Sequence, residues 1–177
     1  MLSLRSFAFP LLTASLLLMA GCHSQGGAFP VRTYPMGEKV LLGSLSYEVF
    51  ETEYLTQLGD PPDARIPQDR FFLVKLSVSN GGSDTVSVPS FQVENDRGKV
   101  YQEISNGEGV PEWIGYLRSL KPAEAAQGNA LFDAPAGHYR IRIKDESGER
   151  AALIDIPLTF NAETPDVPSP EIPTKKQ

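Results

Sequence analysis

The sequence predicts an all-β fold, a β-sandwich of seven or eight short strands with one short helical turn. Apolar and polar residues alternate along several segments. Leu45, Tyr47 and Val49 are separated by Ser46 and Glu48, and Phe72, Val74, Leu76 and Val78 are interleaved with Leu73, Lys75, Ser77 and Ser79. A period of two puts each apolar set on one face of a half-buried strand. Turn-forming clusters recur between such segments: Asn80-Gly81-Gly82-Ser83-Asp84, Asn95-Asp96-Arg97-Gly98 and Asp145-Glu146-Ser147-Gly148. Short strands punctuated in this way are the pattern of a sandwich. Composition agrees, with 41% hydrophobic residues, 15 Gly and 15 Pro in 177 positions. That is ordinary globular usage, below the roughly 25–30% Gly plus Pro of a structureless chain.

Residues 1–21 read as an address. One basic residue, Arg5, precedes an apolar run from Phe7 to Gly21 that is interrupted by Pro10. Only about a dozen apolar residues follow that proline, short of the roughly 20 that span a bilayer, so the run reads as a secretory signal. Ala20 and Gly21 stand directly before Cys22, the one cysteine of the chain. The stretch Leu18-Met19-Ala20-Gly21-Cys22 resembles the lipobox of bacterial lipoproteins, with Met19 in place of the usual leucine. The resemblance implies cleavage between Gly21 and Cys22 and acylation of Cys22, and two or three acyl chains suffice for stable anchoring where one is marginal. His23 follows, rather than the aspartate that commonly retains a lipoprotein in an inner membrane. In a host with two membranes, the expected location is therefore the periplasmic face of the outer membrane.

Residues 22–36, with Gly26-Gly27, Pro30 and Pro35, have neither period and are expected to form a flexible tether. The folded domain is expected over 37–158. Its strands are predicted around Leu45–Val49, Phe72–Val78, Thr85–Val88, Phe91–Val93, Lys99–Gln102, Asn129–Phe132, Tyr139–Lys144 and Ala151–Leu158, the last two forming a hairpin. Residues 57–69, with Gly59, Pro61, Pro62 and Pro67, form a long loop. Residues 110–120 are predicted to make the helical turn, with Pro111 near its start and Trp113, Leu117 and Leu120 on one face. From Asn161 onward, Pro165, Pro168, Pro170 and Pro173 exclude a helix or a central strand, so 159–177 is expected to be a Pro-rich disordered tail. The predicted core contains Phe72, Val74, Leu76, Val78, Tyr139, Ile141, Ile143, Leu153 and Ile154 or Ile156.

Four landmarks within 37–158 resemble a family of small extracellular immunoglobulin-like domains of unknown function, borne by secreted or lipid-anchored bacterial proteins and sometimes mislabelled telomeric repeat-binding factor. They are Gly37-Glu38-Lys39-Val40 leading into Leu45–Val49, the block from Arg70 to Gly82, the segment from Phe91 through Gly98-Lys99-Val100-Tyr101, and Leu120-Lys121-Pro122-Ala123-Glu124 with Leu131–Pro135. The family usually has Pro-Gly-Glu where this chain has Pro122-Ala123-Glu124, which puts a left-handed turn residue in question there. The resemblance implies an immunoglobulin-like β-sandwich and leaves activity open.

The chain has 16 basic and 22 acidic residues and a net charge of −6, the wrong balance for a nucleic-acid binder. Its two histidines, His23 and His138, accompany no nucleophile-elbow motif, so no enzymatic activity is expected. A single cysteine excludes a thiolate zinc site, and two of the three methionines lie in the signal, so no metal or cofactor is expected. Asp60, Asp63 and Asp69 read as a solvated acidic loop. Arg140, Arg142 and Lys144 share one strand face, either to meet an anionic polymer or to pair across strands with acids such as Glu149, Glu48 or Glu51. Trp113 and Tyr116 are a stacking platform if exposed and core residues if not. The expected function is a lipid-anchored, non-enzymatic binding module of the cell envelope, meeting an envelope protein; the alternative is a cell-wall or carbohydrate-binding module.

Overall fold

A computed structural model describes residues 30–158. The signal, Gly21, Cys22, His23 and the residues from 159 onward lie outside the described residues.

Eleven strands are present among them: β1 (Arg32–Pro35), β2 (Val40–Leu42), β3 (Leu45–Leu55), β4 (Phe71–Asn80), β5 (Val86–Val88), β6 (Gln92–Asn95), β7 (Val100–Gln102), β8 (Arg118–Leu120), β9 (Ala125–Asp133), β10 (Tyr139–Lys144) and β11 (Ala151–Ile156). One sheet has the order β1-β11-β10-β6-β7, the facing sheet β2-β3-β4-β9, and β5 pairs with β8 alone. The domain is an immunoglobulin-like β-sandwich. Every strand pair is antiparallel except β1 with β11.

The period of two built the core as expected. Leu45, Tyr47 and Val49 of β3, Phe72, Val74, Leu76 and Val78 of β4, and Tyr139, Ile141 and Ile143 of β10 are buried in one cluster with Phe91, Phe132, Ile154 and Ile156. Each such side chain removed from water stabilises the fold by about 1.5–3 kcal/mol. Tyr47 brings a hydroxyl into this core and donates it to the Lys144 carbonyl at 2.6 Å, joining the two sheets.

Several expectations are corrected. No helical turn forms at 110–120: Gly115 has φ +84° and Glu112 φ +45°, which end any helix, and Arg118–Leu120 is strand β8. Trp113, Leu117 and Leu120 therefore share no face, Leu117 being fully exposed and Leu120 buried. Arg32–Pro35, assigned by composition to the tether, forms β1 because its backbone is paired by β11, with Tyr34 opposite Ile154 and packed on the core. Leu153 is buried but points to the opposite face from Ile154, in register with Arg142. β4 is more than half-buried, since Phe71 and Leu73 on its outer side join Leu58, Val110 and Leu131 in a second apolar cluster.

Candidate functional site

The outer face of the four-stranded sheet is half roofed. The 57–69 loop is closed by paired backbone bonds between Leu58 and Arg65, and the segment after β7 is tied to β9 by the Ile104 N–H donating to the Leu131 carbonyl at 2.8 Å. Arg65 binds these two loops together by donating to the carbonyls of Asn106 (3.1 Å) and Glu108 (2.6 Å). Apolar residues of both loops cover Phe71, Leu73 and Leu131, forming the second cluster.

A polar groove of about 190 Å³ opens beside this roof, lined by Glu51, Thr52, Glu53, Lys75, Pro111, Glu112 and Asn129. A β-bulge puts two of its acids there. The register runs Val49 to Leu76 and then Glu51 to Lys75, leaving Phe50 as the extra residue. The odd-numbered set that faces the core before the bulge gives way to Thr52 and Tyr54 after it, so Glu51 and Glu53 turn outward. Lys75 lies opposite Glu51 on one side and Asn129 on the other, and its ammonium meets the Glu112 carboxylate at 2.8 Å. That hydrogen bond and the adjoining charge raise the Lys75 pKa, keeping it cationic.

Residues 112–114 are laid along β9, with the Asn129 N–H donating to the Glu112 carbonyl at 2.8 Å and the Ile114 N–H to the Asn129 carbonyl at 3.2 Å. The close approach requires Gly128, whose added Cβ would strike the Glu112 carbonyl. Ile114 enters the core, while Trp113 is 39% exposed and its indole occupies the space where a Gly107 Cβ would stand. Trp113 is thus a partly open ring beside the groove, and Tyr116 is half-buried.

The other predicted site residues lie elsewhere. Arg140 and Arg142 point outward from the five-stranded sheet and meet Glu94 at 3.4 and 2.9 Å, so they pair across strands with Glu94 rather than with Glu48, Glu51 or Glu149. Lys144 continues that row beside Ala151. His138 bridges Asp96 (2.8 Å) and Asp155 (2.9 Å). Asp60 and Asp63 are exposed, while the N–H groups of Gln68 and Asp69 donate to Asp133. Among the described residues no three His, Cys, Asp or Glu side chains are grouped to hold a metal ion, and no helix is long and apolar enough to cross a membrane. Sequence reasoning did not bring Glu51, Glu53, Lys75, Glu112 and Asn129 together, because a bulge and a contact spanning 37 positions unite them.

Residues 34–151 match the family model described as a domain of unknown function, DUF4352. The chain belongs to that family. The DUF4352 domain is similar in fold to the yjhA protein of Bacillus subtilis, with 13% identity and a TM-score of 0.55 over 70% of this chain and 99% of that one. It is also similar to MPT63, a secreted protein of Mycobacterium tuberculosis, at 16% identity and TM-score 0.54 over 73% and 99%. A candidate lipoprotein of Bacillus subtilis, ycdA, aligns at 13% identity and TM-score 0.51 over 70% of this chain and 39% of that one. These likenesses show a shared fold. None of the curated proteins matches the sequence, and the family description carries no enzymatic activity.

Proposed function

We propose that this protein is a lipid-anchored component of the cell envelope whose DUF4352 domain binds a partner protein without turning over a substrate. The observation that carries the reading is Trp113. A large aromatic ring is held partly open against Gly107, one residue after the groove-lining Glu112, an arrangement that supports contact with a partner. Elsewhere charged groups serve the fold: Glu103 with Arg118, Glu94 with Arg140 and Arg142, and Asp145 with Arg150. The anchor rests on Cys22 and the small residues before it, and His23 after it favours an outer membrane's periplasmic face where the host has two membranes. The description of ycdA as a candidate lipoprotein accords with such an anchor.

Two experiments test the reading. Cys22→Ser abolishes labelling by an alkyne fatty acid; label that persists in this variant removes the anchor. Trp113→Ala in the anchored protein removes cross-links to envelope proteins; an unchanged profile removes the open indole as the contact. A second reading, a cell-wall polymer as ligand, is favoured by the same open indole, since sugar rings stack on Trp. It predicts Trp113-dependent pelleting with purified peptidoglycan.

A further inference from the structure

We propose that Asn106 is a site of spontaneous covalent modification, deamidating through attack by the Gly107 backbone nitrogen, and that the product releases Trp113 from its seat. The described residues contain four asparagines: Asn80, Asn95, Asn106 and Asn129. Two of them, Asn80 and Asn106, precede glycine, which lacks the Cβ that would shield the attacking nitrogen.

The fold treats these two in opposite ways. Asn80 is buried, its Nδ2 donates to the carbonyls of Asp84 (2.7 Å) and Leu120 (3.0 Å), and the Gly81 N–H is spent on the Ser44 carbonyl at 2.8 Å. Both the leaving amide and the attacking nitrogen are committed. Asn106 is exposed, and although Gly107 is buried against the Trp113 indole and Arg65 holds the Asn106 carbonyl at 3.1 Å, neither the Asn106 Nδ2 nor the Gly107 N–H makes a hydrogen bond among the described residues. Its Oδ1 accepts from the Glu108 N–H at 2.9 Å, which folds the side chain back over the Gly107 peptide and places a donor on the oxygen that becomes negative during attack. Asn95 makes the same kind of turn, with its Oδ1 accepting from Arg97 and Lys99, but its neighbour is Asp96, whose side chain crowds the nitrogen. Asn129 is paired within β9, and its Nδ2 donates to the Pro111 carbonyl.

The chemistry balances without a redox partner. Hydroxide takes the Gly107 N–H proton, the nitrogen bonds to the Asn106 Cγ, and the Cγ–Nδ2 bond breaks as Nδ2 takes a proton from water and leaves as ammonia, which regenerates the hydroxide. Water then opens the resulting succinimide. Addition at Cγ leaves aspartate, and addition at the main-chain carbonyl leaves isoaspartate, with one extra methylene in the backbone. Gly107 is the residue against which the Trp113 indole packs, with no room for a further carbon. Lengthening the backbone at residue 106 shifts Gly107 beneath the tightly packed indole and so displaces the one tryptophan of the protein, which makes its emission a readout of the event.

The test incubates the folded protein in mildly alkaline buffer and maps tryptic peptides 76–97 and 100–118 by fragmentation. Asn106 is expected to exchange its amide nitrogen for oxygen at least about tenfold faster than Asn80, with isoaspartate as a product and a red shift of Trp113 emission that follows its time course. In urea the two Asn-Gly pairs should react at similar rates. Conversion of Asn80 at the rate of Asn106 in the folded protein, or protection of both, overturns the assignment. An emission shift that also develops in Asn106→Gln, or the absence of any shift in converted protein, overturns the link to Trp113.

Discussion

Glu103 and Arg118 form an ion pair inside the sandwich, with side chains 0% and 2% exposed. The Phe91 N–H donates to Glu103 at 2.9 Å, and the Arg118 guanidinium lies 4.5 Å over the Phe91 ring. Burial raises the Glu103 pKa and outweighs the opposing bonds from Arg118 and Phe91, so the pair carries a desolvation cost that its geometry only partly offsets. Arg118→Met alone should destabilise by about 3–5 kcal/mol because it strands a buried carboxylate. The double variant Glu103→Leu with Arg118→Met should recover part of that loss, since it removes the stranded charge but leaves the buried Phe91 N–H without its acceptor. Urea titrations of the two variants check this, and a double variant as unstable as the single would show that the pair contributes more than charge compensation.

The His138 bridge predicts a dependence on pH. Hydrogen bonding to Asp96, opposed by desolvation and aided by Asp155, raises the His138 pKa above its ordinary value. A raised folded-state pKa means that the stabilisation is fully present below the unfolded value of about 6.5 and is lost as pH rises through the folded value. The ring is partly exposed, so the contribution is at most about 1 kcal/mol after screening. Melting temperature should fall between mildly acidic and mildly alkaline pH, and His138→Gln should flatten that limb. An equal fall in the variant would assign the effect to other groups.

Ala123 supplies a third test. It occupies the left-handed region, with φ +61°, in the turn where the Glu124 N–H donates to the Lys121 carbonyl and the Ala123 N–H to the Asn80 carbonyl. The turn that Pro-Gly-Glu would form is kept here by an alanine. A left-handed L-residue costs about 1–2 kcal/mol, and glycine returns part of that as unfolded-state entropy. Ala123→Gly should therefore stabilise the domain by about 0.5–1 kcal/mol, read as a higher urea midpoint with an unchanged slope.

How much of this was legible follows from the physics of each segment. The alternation in 72–78 and 139–143 named the core because one-sided burial leaves a period of two in the sequence. Leu73 broke that pattern for a reason absent from its own strand: the roof over it comes from Leu58 and Val110. Glu51 and Glu53 could not be placed on the outer face, since the bulge at Phe50 inverts the parity without a glycine or proline to mark it. Arg32–Pro35 has too few apolar residues to read as a strand and becomes one through backbone pairing with β11. The helical reading of 110–120 failed because a buried Arg118 looks polar in a sequence until its partner Glu103 is known.

Gly107→Ala tests how Trp113 is seated. The added Cβ would fall within the indole, so either the ring or the 107 backbone must move. The backbone is restrained on both sides, by Arg65 at the Asn106 and Glu108 carbonyls and by the Val110 N–H at the Gly107 carbonyl. The ring, 39% exposed, is held less firmly and should yield. Emission should shift to the red and acrylamide quenching should rise. Stability should fall by only about 1–2 kcal/mol, because Ile114 keeps the segment rooted in the core. An unchanged emission with a larger loss of stability would mean that the 103–110 loop moves instead, and that Trp113 is fixed by its run along β9 rather than by Gly107.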